Sequence, residues 1–130
     1  MKKCINSVPI LGLGKVGYLV ALLLHETGFE VSGADLNINE SFPFATQPLD
    51  ATDKNHLTAT LSRFDAVISC LPYHFNVEVA RAAAATGVHY FDLTEDVGTT
   101  KEIIALSADS PAVMAPQCGL APGFIAKPRV

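Results

Sequence analysis

Gly12-Leu13-Gly14-Lys15-Val16-Gly17 spells G-x-G-x-x-G between an apolar run, Val8 to Leu11, and a strongly apolar stretch of helical character, Val16 to Leu24. Each glycine has a mechanical reason to be there. Gly12 permits a tight turn out of a strand, and Gly14 presents no Cβ, so a pyrophosphate can approach the backbone. Gly17 lets the following helix pack closely on the strand. The start of that helix offers unpaired N–H groups and about half a positive charge to phosphates. Asp35 follows at the end of the next apolar segment, about 20 residues on, where an acid grips the ribose diol of an adenosine. The same carboxylate repels a 2′-phosphate. The pattern therefore implies a dinucleotide cofactor, NAD in preference to NADP. Glycines that serve packing alone would leave the position of Asp35 unexplained. A solvated or capping carboxylate is the plain alternative for that residue.

Working outward, apolar segments alternate with helical ones along the chain, which predicts an α/β fold. Its form is a doubly wound parallel sheet of about six strands with helices on both faces. Strands are expected at 5–11, 30–34, 47–49, 66–71, 90–93 and 112–115. Helices are expected at 15–26, closed by Gly28; at 54–63, capped by Asp53; and at 75–86, closed by Gly87. A capping-box pattern, Thr99-x-x-Glu102, predicts a last helix reaching about Ala108. Two features strain the scheme. Pro9 falls in the proposed central strand, where it removes a ladder bond, so an irregularity or a later strand start is expected. The stretch from Leu36 to Thr46 should hold a crossover helix. Its Asn37, Asn39, Ser41 and Pro43 instead predict a loop with at most one helical turn. Residues 1–115 read as one Rossmann domain and 116–130 as an exit segment.

Composition narrows the function classes. The 130 residues are 49% hydrophobic and 17% charged, which fits a globular domain with a real core. Net charge is −4 and no basic block occurs, which argues against nucleic acid or an anionic membrane as partner. The apolar run of the first helix is too short to span a bilayer, and polar residues near the amino end spoil a secretory signal. A cytoplasmic protein is the expectation. Three cysteines (Cys4, Cys70, Cys118) and four scattered histidines suggest neither a disulfide framework nor a metal site.

In a doubly wound sheet, ligands lie beyond the carboxyl ends of the strands. That rule selects the glycine loop, Asp35 with Leu36, and then Asp50, Ala51 and Thr52 as a border for the adenine. Cys70, Leu71 and Pro72 fall on the nicotinamide side. Cys70 and His74 read more readily as a buried small residue and a helix-start residue. Asp92, Glu95 and Asp96 read as capping and dipole-matching acids.

Taken together, ILGLGKVG, LDATD (Leu49 to Asp53), DAVISCLP (Asp65 to Pro72), VARAAAATGVHYFDLTED (Val79 to Asp96) and PQCGLAPGF (Pro116 to Phe124) resemble the amino-terminal Rossmann domain of saccharopine dehydrogenase-type oxidoreductases. The resemblance covers about residues 5 to 125. It implies hydride transfer between a nicotinamide and an amine or imine carbon of an amino acid or polyamine. It implies cofactor contacts at Gly12, Gly14, Lys15, Val16, Gly17, Asp35, Asp50, Ala51, Leu71 and Pro72, with Cys118 and Gly119 approaching the nicotinamide end. It further implies a second domain beyond Val130, so the chain reads as a cofactor-binding fragment that does not turn over alone, and a possible homodimer. No catalytic base is assignable. The competing reading is a non-catalytic nucleotide-sensing Rossmann module, as in potassium transport systems. A sugar-nucleotide or short-chain reductase is disfavoured because no Tyr-x-x-x-Lys pair occurs.

Overall fold

Six strands alternate with four α-helices in the computed structural model, which describes residues 5–38, 41–93, 96–108, 110 and 112–116. In chain order they are β1 (Ser7–Leu11), α1 (Lys15–Thr27), β2 (Glu30–Asp35), β3 (Ala45–Pro48), α2 (Lys54–Leu61), β4 (Ala66–Ser69), α3 (Asn76–Thr86), β5 (His89–Asp92), α4 (Val97–Ser107) and β6 (Met114–Ala115). All pairings are parallel, and the spatial order is β3-β2-β1-β4-β5-β6. The order reverses direction between β1 and β4, which opens the crevice where such sheets bind ligands.

Strand alternation divides the core in two. Val8 and Ile10 of β1 join Ala21, Val31, Phe44 and Ala66 in one cluster under α1. Leu11 joins Leu57, Leu61, Val67, Val79, Tyr90 and Ile103 in the other, under α2, α3 and α4. Right-handed crossovers dictate this split: leftward steps from β1 put their connections on one face, rightward steps from β3 onward on the other.

Pro9 sits within β1, which starts at Ser7, two residues later than the pattern suggested. The carbonyls of Ser7 and Leu11 accept from Asp65 and Cys70 on the β4 side. Alternation therefore aims the Pro9 nitrogen, which carries no hydrogen, at β4. The β1–β4 pairing accordingly begins only at Ile10, whereas the β1–β2 ladder runs the whole strand. The Asp65 carboxylate closes the gap, accepting from the backbone N–H groups of Asn6 (2.8 Å) and Ser7 (3.0 Å).

Between β2 and β3 the described residues form no helix. Aromatic rings fill that space instead: Phe42 stacks on Phe44 at 5.4 Å, and Tyr18 of α1 meets both, at 5.7 and 6.2 Å. Gly33 makes room, since a Cβ there would lie 2.9 Å from side chains of Leu13 and Phe44.

Helix ends follow local chemistry. Gly28 and Gly87 close α1 and α3 in the left-handed conformation, with φ of 115° and 73°. Asp53 caps α2 by accepting from the His56 N–H at 3.1 Å. The expected capping box at Thr99 is corrected. Asp96 is the N-cap of α4, accepting from the Thr99 N–H at 2.9 Å, so the helix starts one turn earlier. That bond holds the Asp96 carboxyl below its ordinary range. The strands β4, β5 and β6 are shorter or shifted by one or two residues relative to the expected ranges.

Candidate dinucleotide site

The glycine loop leaves β1 through Gly12, whose φ is +92°. Its N–H donates to the Ala34 carbonyl at 2.8 Å, and a Cβ there would meet the Cys70 carbonyl at 2.9 Å. Gly12 is thus wedged between the ends of β2 and β4. A Cβ on Gly17 would stand 1.7 Å from the Gly12 oxygen. That bare Cα is what lets α1 begin directly beside the strand end.

Gly14 differs from both. It is the N-cap of α1, with ordinary φ of −72° and ψ of −163°, and its missing Cβ faces open space with no atom within 4 Å. No side chain caps the helix, and its first turn carries no acid. The leading N–H groups of α1 and their positive partial charge are left for an anion that can approach only because Gly14 is bare. The residues present therefore fit a pyrophosphate. Lys15 and Val16 open the helix and are exposed.

Beside the loop lies a groove of about 270 Å³, lined by Leu11, Ala34, Asp35, Leu36, Leu49, Asp50, Ala51, Thr52, Leu71, Pro72 and Phe75. Asp35, Asp50, Ala51, Leu71 and Pro72 are brought together here as the sequence implied. Its floor is the apolar ends of β1 and β2. The Asp35 carboxylate accepts from the Leu13 and Leu36 N–H groups, each at 2.7 Å. As an acceptor on both oxygens it keeps lone pairs for further donors. Asp50 is spent locally. The Thr52 hydroxyl (2.6 Å) and N–H (2.9 Å) both reach its Oδ1, hold its carboxyl below the usual range, and shape the turn into α2.

A second depression of about 230 Å³ opens on the other side of Leu71, lined by Val16, Ser69, Cys70, Leu71, Tyr73 and Leu93. The sequence reading missed Tyr73 and Phe75. Both lie on a 3-10 turn, Tyr73–Phe75, that Pro72 starts, rather than at the head of the helix itself. It also missed the buried pair that holds this turn, the Ser69 hydroxyl donating to Asn76 Oδ1 at 2.6 Å. A strand-end serine followed shortly by an asparagine at a helix start is the signal that would have found it. The His74 ring lies tilted against Phe75, with centroids 4.4 Å apart. Asp92 is corrected from a capping role: it is fully buried in β5 and accepts the Tyr90 hydroxyl. Cys118, Gly119 and Glu95 lie outside the described residues.

Cys70 is half-buried, and its surroundings disfavour the thiolate. Burial pushes its thiol from an ordinary 9.0 up to about 11, and the Asp92 charge adds to the shift. The neutral thiol favours the folded state fully below about pH 9. That contribution is lost as pH rises toward about 11. Peptide mapping after iodoacetamide treatment at about pH 8 is expected to find Cys70 alkylated more slowly in the folded protein than in the urea-unfolded chain. Alkylation at the rate of a free thiol would contradict the burial. Among the described residues no group of three or more His, Cys, Asp or Glu side chains could hold a metal, and no helix is long and apolar enough to cross a membrane.

Comparison with known proteins agrees with the fold. The family described as Saccharopine dehydrogenase NADP binding domain matches residues 8–116. Apo saccharopine dehydrogenase (L-Glu forming) from Saccharomyces cerevisiae superposes with a TM-score of 0.76 at 23% identity, over 92% of this chain and 28% of the yeast chain. The chain thus spans little more than a quarter of that enzyme. The AMP-bound Kef CTD from Shewanella denitrificans superposes with a TM-score of 0.67 at 21% identity, over 81% of this chain and 69% of that one. UDP-glucose 4-epimerase from Brucella ovis, in complex with NAD, does so with 0.59 at 19%, over 67% and 35%. At these identities the solved structures share a fold. The family match reaches further: the chain belongs to the saccharopine dehydrogenase NADP binding domain family and is a nicotinamide-dinucleotide-binding Rossmann domain of oxidoreductase type.

Proposed function

We propose that this domain holds the dinucleotide for an oxidoreductase acting on a C–N bond of an amino acid or polyamine. The carrying observation is the bare Gly14 over an uncapped helix N-terminus, with Asp35 in the groove beside it and bonded to Leu13. The pyrophosphate would rest on the first N–H groups of α1. The adenosine ribose would meet Asp35, with Ala51 and Thr52 bordering the adenine. Leu71, Pro72 and the Tyr73 depression would line the nicotinamide side. The bound cofactor supplies hydride transfer; the side chains here orient it and exclude water from one ring face. Residues 116–130 would lead toward a second domain carrying substrate contacts, a reading supported by the much longer yeast relative.

For cofactor choice we favour NAD. The described lining of the adenosine groove contains two carboxylates, Asp35 and Asp50, and no basic side chain. The family description names NADP. The adjoining hollow beside Leu13, Gly14, Tyr18 and Ser41 holds Lys15, a cation that would serve a 2′-phosphate turned that way. Fluorescence titration with NADH and NADPH decides between them. Tighter NADH binding, by about tenfold or 1.4 kcal/mol, is expected. Tighter NADPH binding that Lys15→Ala selectively removes would reverse the assignment.

The second reading, a nucleotide-sensing module, draws support from the AMP-bound Kef domain, most of whose length the chain covers. Cofactor binding without turnover of lysine or saccharopine by the longest natural polypeptide carrying this domain would favour it.

A further inference from the structure

We infer that Asp35 is a positioning residue for the phosphate-binding loop, a role beyond gripping ribose that rests on the dinucleotide reading above. Leu13 is the residue between the two glycines that make the loop. Its N–H donates to Asp35 Oδ2 at 2.7 Å. Its side chain lies over the bare Cα of Gly33, so close that a Cβ there would be 2.9 Å away. The loop is therefore pinned from both sides of one residue, by a carboxylate and by a packing notch, and both pins stand on β2.

Asp35 is itself held firmly. Its Oδ1 accepts from the Leu36 N–H at 2.7 Å, and its carbonyl accepts from the Leu49 N–H at 2.8 Å. Leu13 sits immediately before Gly14, so its peptide orientation sets where the first N–H groups of α1 point. A carboxylate suits this task better than any neutral isostere. Both oxygens face N–H donors, and only a group that accepts at both positions satisfies them. Asparagine would turn its own NH₂ toward one of the two donors and lose that bond.

Two measurements separate bracing from ribose contact. The first uses the free protein, comparing amide hydrogen exchange in wild type and Asp35→Ala, which removes both acceptor oxygens. Bracing makes the Leu13 amide exchange faster by about tenfold or more in the variant, while Ile10 and Val31 in the sheet keep their rates. An unchanged Leu13 rate overturns the inference, whatever the protein binds. The second measures affinity for NAD and for its 2′,3′-dideoxyadenosine analogue, which offers no ribose diol. Bracing predicts that Asp35→Ala weakens the analogue as well, by about tenfold. Full retention of analogue affinity confines Asp35 to the ribose and overturns the brace. Wild-type protein that binds neither NADH nor NADPH defeats the functional reading instead, and the exchange experiment still decides the brace.

Discussion

Gly14→Val is expected to abolish dinucleotide binding while leaving helix content unchanged. The backbone at Gly14 is extended, with φ of −72° and ψ of −163°, so a β-branched residue fits it without strain. The new Cβ would meet no protein atom within 4 Å. What it would meet is the pyrophosphate, because the volume it enters is the approach to the first N–H groups of α1. Affinity should fall by at least about 100-fold, or roughly 2.7 kcal/mol. Valine is also a poorer N-cap than glycine, at a cost of about 1 kcal/mol to the fold. Far-UV circular dichroism should match wild type, and NADH titration should show no saturable signal. A variant that binds normally would place the phosphates elsewhere.

Gly17→Ala should act on folding itself. One added methyl would stand 1.7 Å from the Gly12 oxygen, far inside van der Waals contact. Gly12 has nowhere to retreat. Its φ of +92° is open to few residues, its N–H is tied to Ala34, and the Cys70 backbone closes the other side. Relief requires α1 to lift off β1, exposing Ala21 and unseating the cluster around Ile10. A loss of about 4 kcal/mol or more is expected, against total stabilities of about 5–15 for such domains. Urea unfolding should show a large drop in midpoint, or no folded baseline at all. A change under about 1 kcal/mol would mean that helix and strand are not in this contact. The paired glycine variants separate two jobs within one hexapeptide: one position keeps ligand space open, and the other lets the chain close on itself.

Much of this architecture was legible because it rests on local chemistry. Glycine spacing located the loop. Apolar runs such as Val67 and Ile68 marked strands covered on both faces, and Gly28 and Gly87 marked helix ends. The groove residues Asp35, Asp50, Ala51, Leu71 and Pro72 followed from the rule that ligands collect at strand carboxyl ends. What escaped depends on directions that residue identity does not encode. Thr99 and Asp96 both read as caps, and only the turn geometry gives the N–H to Asp96. Asp92 lies in an acidic string suggestive of surface, yet strand register turns it into the core beside Tyr90. Nothing in the spacing of Leu13 and Asp35 says that a peptide N–H will point at the carboxylate. Phe75 joins the groove because a 3-10 turn, rather than a continuous helix, follows Pro72.

Pro9 has a mechanical consequence for the whole domain. It leaves the middle seam of the sheet unevenly stitched: one ladder donor is missing, and at the amino margin Asp65 holds Ser7 through both its N–H and its carboxylate. Opening of the seam is expected to begin at that margin, at the opposite end of β1 from the glycine loop. A looser joint there would leave the carboxyl ends of β1 and β4, which pair at Ile10 and Leu11, in register.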